Sequence, residues 1–189
     1  MKKLTVYLLS AACMIFLIGC GGRRPGQEQS DAAYTGPLEL LEVVADSYGE
    51  EELFAMYGGD QEHAVMDAPG AFDISKTQEL ENTLGLPAEL AADIEEAASM
   101  VHLMNGNTFT GAAYRLKTHT DRNVFARELK AALSDRQWLC GQPDKMAVLA
   151  VGDSYVITAY GEAEMMDTFQ NKALSALDGA SVLTQAPIV

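Results

Sequence analysis

From Pro25 to Ser75 the chain carries no lysine and no arginine, while Glu28, Asp31 and further acids through Asp73 accumulate there. Over the whole sequence 13 basic residues stand against 27 acids, a formal net charge of -14. Phosphate backbones need a basic face, so nucleic acid is excluded as a partner. The acidic stretch reads as a solvated face or stalk, held off an anionic membrane by repulsion. Calcium would need oxygens at fixed spacing around a glycine turn, and neither Glu50-Glu51-Glu52 nor Asp60 to Asp73 has that loop. No Gly-x-Ser-x-Gly, His-Glu-x-x-His or Gly-x-x-x-x-Gly-Lys-Ser/Thr motif occurs. His63, His102 and His119 share no helix face, so no metal site is expected. With one tryptophan and acids placed mostly on helix faces, no aromatic-lined cleft with paired carboxylates is expected either. Catalytic residues, metal ligands and cofactors are therefore all assigned as none.

Long hydrophobic runs are also missing, apart from the first twenty residues. Met1-Lys2-Lys3 opens a short apolar segment that closes as Leu17-Ile18-Gly19-Cys20. A charged start, an apolar stretch and small residues before a cut describe a secretory signal over residues 1–19. The ending resembles the lipobox of bacterial lipoproteins. That resemblance implies diacylglycerol on the Cys20 thiol, cleavage just before it, and lipid anchoring on the outer face of the cytoplasmic membrane. Two acyl chains, at about 0.8 kcal/mol per buried methylene, anchor stably where one is marginal. The competing reading is a single transmembrane anchor, but the run falls short of the ~20 residues a spanning helix needs. Of the three cysteines, Cys13 would leave with the leader and Cys20 would carry lipid. Cys140 then has no disulfide partner, and Trp138-Leu139-Cys140-Gly141 reads as a half-buried turn rather than a reactive thiol.

Residues 20–37 are rich in Gly, Arg, Pro, Gln and Ser and read as a flexible tether. Residues 38–104 read as an acidic helical region. Leu38, Leu41, Val44 and Ala45 recur at helical spacing, and a short helix over 76–84 ends at Gly85. Pro87 then opens another, whose Leu90, Ile94, Ala97 and Val101 line one face. Met100, Met104, Met165 and Met166 read as core filler. After Asn105-Gly106-Asn107 the pattern changes. Thr108 to Lys117 alternates as a strand, Asp121 caps a helix to about Arg136 that buries Val124, Phe125, Leu129, Ala132 and Leu133, and Met146 to Val151 and Tyr155 to Tyr160 flank a Gly152-Asp153 hairpin turn. Lys145 to Val151 could instead prolong a helix. Glu162 to Leu177 reads as a helix ended by Gly179, and Ser181 to Thr184 as a last strand.

Strand, helix, strand, strand, helix, strand is the succession of a ferredoxin-like split β-α-β sandwich. The expected fold is thus α+β, with that sandwich over residues 108–185, helices on one face of its sheet, and an N-terminal helical arm before it. The α+β core is placed at residues 105–189, and a span that starts before it, about 85–177, resembles a family of uncharacterised Gram-positive lipoproteins. The matching features are Gly85-Leu86-Pro87, Met104-Asn105, the Arg127 to Arg136 helix and Gly152-Asp153-Ser154-Tyr155-Val156. The resemblance implies an extracytoplasmic α+β domain and supplies no catalytic residues. The expected function is a membrane-anchored, non-catalytic module that binds an envelope protein or small ligand. The alternative is a cell-envelope enzyme or a solute-binding transport accessory.

Overall fold

Ile94–His102, whose apolar spacing suits a helix, is a strand in the computed structural model of the protein, which describes residues 34–189. The lipobox Leu17, Ile18, Gly19 and Cys20 lies outside the described residues, as do the leader and most of the tether. The helix begun at Pro87 covers only Ala88–Ala91. The reason is burial from two sides. Ala97 to Val101 are all buried, and a strand covered on both faces loses the alternation that marks a half-exposed one. Region 38–104 is therefore mixed in structure, not helical throughout.

In chain order the elements are α1 (Pro37–Asp46), β1 (Met56–Gly58), β2 (Val65–Met66), β3 (Gly70–Phe72) and α2 (Thr77–Glu79). The last runs directly into a π-helical turn, Leu80–Leu84. There follow α3 (Ala88–Ala91), β4 (Ile94–His102), β5 (Phe109–Leu116), α4 (Arg122–Asp135), β6 (Lys145–Val151), β7 (Tyr155–Gly161), α5 (Ala163–Ala176) and β8 (Ser181–Pro187). The class is α+β. One eight-stranded sheet runs β2-β1-β4-β5-β7-β6-β8, with β3 also on β4, and every pairing is antiparallel.

Side-chain alternation sorts the core into two clusters, one per face of the sheet. Ala112, Tyr114, Val148 and Val156 point to the face covered by Phe125, Leu129 and Leu133 of α4, together with Leu80 and Leu84 of the π turn. Ala113, Leu149 and Ile157 point to the other, covered by Leu40, Leu41 and Val44 of α1 and by Met166, Phe169 and Ala173 of α5. The expected helices on one face are thus corrected to helices on both. The ferredoxin-like order is corrected with them: β8 lies beside β6, and the position next to β5 belongs to β4. Nor is α1 a peripheral arm, because Leu40, Leu41 and Val44 are fully buried.

Local signals inside the second half hold. Asp121 caps α4, its carboxylate accepting from the N–H groups of Asn123 at 2.8 Å and Val124 at 3.2 Å. Val124 itself is exposed rather than buried. Residues 145–151 are strand, not helix. The β6–β7 turn has three residues instead of two, since Val151 pairs with Tyr155, and Gly152 supplies the left-handed φ of 58°.

Candidate functional site

A cleft of about 680 Å³ opens at one end of the sheet on the α4 side, a size suited to a small ligand. One wall is the π turn, contributing Glu81, Asn82 and Thr83, and its cap Gly85. Gly85 has φ 71°, and its N–H and that of Leu86 bond back to the carbonyls of Glu81 and Leu80 at 3.1 and 3.3 Å. The facing wall is the last residue of α4, Asp135, and the segment that follows, with Gln137, Trp138 and Leu139. Asn105, Gly106 and Asn107 of the β4–β5 loop close the end, and Tyr57 and Tyr160 lie between.

The two loops are clasped by asparagine side chains. Asn107 Nδ2 donates to the carbonyls of Leu139 at 2.6 Å and Gly141 at 2.7 Å, while Asn105 Nδ2 donates to that of Cys140 at 3.2 Å. Three successive carbonyls are thereby held, and Cys140 sits among them at φ 63°, a conformation costly for a residue with a Cβ. Its thiol is exposed, which corrects the expected half-buried turn.

Arg136 joins the walls. Its guanidinium donates to the carbonyls of Glu81 at 3.2 Å and Asn82 at 2.6 Å and lies 4.8 Å from the Trp138 ring centroid. Trp138 packs tilted on Tyr160 at 5.0 Å, yet its indole N–H is shielded from solvent and has no partner. The Tyr160 hydroxyl donates to the Thr83 carbonyl at 2.9 Å. Burial pushes the Tyr160 phenol up from its ordinary value, and burial with the nearby Glu79 charge does the same to Tyr57. Both phenols stay protonated at neutral pH and remain hydrogen-bond donors.

A second polar centre lies between β1 and α2. Asp60, 2% exposed, accepts from Lys76 Nζ at 2.6 Å and from the backbone N–H groups of Glu62 at 3.0 Å and Asp73 at 3.1 Å. His63 Nδ1 is 3.1 Å from both of its carboxylate oxygens. Burial alone would raise the carboxyl, but these hydrogen bonds together hold it well below the usual carboxylate range. Nearby, Ser99 Oγ accepts from Gly59 N–H at 2.9 Å. Every Asp60 acceptor is occupied by the fold's own groups, so this centre fixes the 59–76 loop.

Among the described residues no cluster of three or more His, Cys, Asp or Glu could hold a metal. No helix among them is long and apolar enough to cross a membrane. Met100 and Met166 are core residues as expected, whereas Met104 is 83% exposed beside the cleft. The cleft itself is absent from the sequence reading, which saw no place where the single tryptophan and carboxylates meet; Trp138, Glu81 and Asp135 line one space. A usable signal was the Asn105-Gly106-Asn107 segment, read above only as a boundary. Comparison with protein-family models, with curated proteins and with solved structures finds no match to this chain.

Proposed function

We propose that the chain is a lipid-anchored, extracytoplasmic binding module, related to the Gram-positive lipoproteins it resembles, whose ligand occupies the cleft at Trp138. The observation that carries this is a convergence of features that cost stability. A π-helical turn and a tryptophan whose indole N–H has no partner both line one cleft, a left-handed cysteine follows its lining residue Leu139, and a fold selected for packing alone has no use for them there. Several of the residues behind the resemblance, namely Gly85, Pro87, Asn105 and Arg136, also line it. Glu81 and Asp135 are exposed, an environment that suits holding a ligand better than acid–base chemistry.

Anchoring at Cys20 fits the entry point of the chain. Thr35 O accepts from Arg115 Nη2 at 2.6 Å and Tyr34 O from the Tyr155 hydroxyl at 3.2 Å, at the opposite end of the sheet from Val101 and Tyr160. The folded part would hang from the membrane with its cleft on the far end. The split β-α-β succession of residues 108–185 serves as scaffold, with α1 and the strands before β5 added to it. An envelope enzyme or transport accessory is the second reading, favoured by the shared cleft of Glu81, Asp135 and Trp138.

Two measurements test the proposal. Cys20→Ala should abolish acyl labelling in cells and leave an uncleaved precursor; equal label in variant and parent removes the anchor. Because Trp138 is the only tryptophan, its emission reports the cleft directly. Fractionated envelope extract should shift that emission in the full-length protein, and extract components that bind without shifting it place the site elsewhere.

A further inference from the structure

The chemistry of the cleft lining limits what can bind. Among the described residues its only cation, Arg136, is already committed to the carbonyls of Glu81 and Asn82 and to the Trp138 ring. Glu81 and Asp135 add negative charge, in a chain of net charge -14. An anionic ligand such as a phosphate or nucleotide would be desolvated against carboxylates with no free cation in the lining to meet it. A purely apolar ligand fares no better, because it would strip water from the amides of Asn82 and Gln137 without replacing their hydrogen bonds.

An uncharged ligand that both donates and accepts meets the amides of Asn82 and Gln137 as well as the carboxylates, whereas a cation would use the carboxylates alone. The side-chain amides offer an N–H₂ donor and a carbonyl acceptor, and the carboxylates accept from hydroxyl pairs. Tyr57 and Trp138 both line the cleft and are each half-buried, and aromatic rings in a polar lining suit the apolar C–H face of a pyranose. Polar groups for the rim of a sugar and aromatic rings for its face are therefore present together. The clasp from Asn107 and Asn105 to the 139–141 carbonyls holds Trp138 in place before any ligand arrives, which lowers the ordering cost of binding.

We infer that the cleft between the π turn and the Trp138 loop binds an uncharged saccharide, stacked on Tyr57 and Trp138 and hydrogen-bonded by Asn82, Gln137, Glu81 and Asp135. This rests on the reading of the cleft as the binding site and adds the class of its ligand.

The test titrates the full-length protein, held in micelles of a detergent without sugar groups, with the tetramer of N-acetylglucosamine. A lysine-containing tetrapeptide and inorganic phosphate are parallel arms. Binding is followed by calorimetry and by Trp138 emission together. The saccharide should bind and change the emission, and Asn82→Leu/Gln137→Leu should weaken it at least tenfold. Both positions are exposed, and an unchanged denaturation midpoint would show that the variant is folded. A change in emission with the peptide or phosphate but not the saccharide overturns the ligand class and leaves the cleft as the site. Saccharide binding that leaves Trp138 emission and the double variant unaffected overturns both. Calorimetric silence with the saccharide overturns the inference alone.

Discussion

Removing the charge of Asp60 should be the most damaging single change to a polar side chain in this protein. In Asp60→Asn the volume is kept and one acceptor oxygen remains, but the partner of Lys76 is lost along with the bond from His63. A hydrogen bond to a charged group contributes about 1.5–3 kcal/mol. Lys76 keeps Glu62 Oε2 at 3.1 Å and is partly hydrated, so the lower part of that range applies, about 2 kcal/mol. Asp60→Ala also strips the backbone N–H groups of Glu62 and Asp73 of their acceptor and should cost about 4 kcal/mol. The assay is urea unfolding, in which the midpoint should fall while the slope stays constant. The pH dependence has a defined sign. Because the folded carboxyl lies below its unfolded value of about 4, its stabilisation is complete above that pH and is lost as pH falls toward the folded value. The gap between parent and Asp60→Asn should thus close in acid. An Asp60→Asn midpoint equal to the parent's at pH 7, or a gap that widens below pH 4, would refute the reasoning.

Starting the chain at Lys76 removes Leu40, Leu41, Val44 and Met56 from the core and should abolish cooperative unfolding; a sharp transition in the truncated protein would show α1 to be dispensable. Gly58→Ala should cost at least about 3 kcal/mol, since its Cβ would stand 2.0 Å from Gly70 N and 2.6 Å from Ser99 O, and chemical denaturation reads this directly. Gly152→Val places a β-branched residue at φ 58° in the β6–β7 turn and should lower stability by about 1 kcal/mol or more, which a denaturant midpoint equal to the parent's would contradict.

What could be read from the sequence follows from where each signal is local. The Asp121 cap, the apolar stripe of Phe125, Leu129 and Leu133, and the turn glycine at 152 are each written within a few residues, and each is found in place. β4 is different. Its alanines and glutamates favour a helix by intrinsic propensity, and its strand state is imposed by pairing with β5 from Ile94↔Leu116 to Val101↔Thr110 and by β1 and β3 on the other edge. The cleft was hidden for the same reason. Glu81, Asn105 and Trp138 belong to three separate segments, and only the sheet order and the position of α4 bring them together.

The placement of helices on both faces follows from chirality. β5 and β6 are parallel with β7 between them, and β7 and β8 are parallel with β6 between them. Each connection therefore crosses one strand and steps in the same direction along the sheet, but it starts from strands of opposite sense. Two right-handed crossovers of that kind must use opposite faces, so α4 and α5 cannot share one. In a ferredoxin-like order the second step would run the other way and return both helices to the same face. With both faces covered, the central strands offer no open surface for recognition, and β6 and β7 become nearly continuous buried runs. For these central strands only the ends remain open. One end receives the incoming chain at Arg115 and Tyr155; the other, some five residues along β5 and so about 17 Å away, is where Val101 and Tyr160 border the cleft. A topology that covers both faces of the central strands thus agrees with the proposed site, at the end of the sheet opposite the one that holds Tyr34 and Thr35.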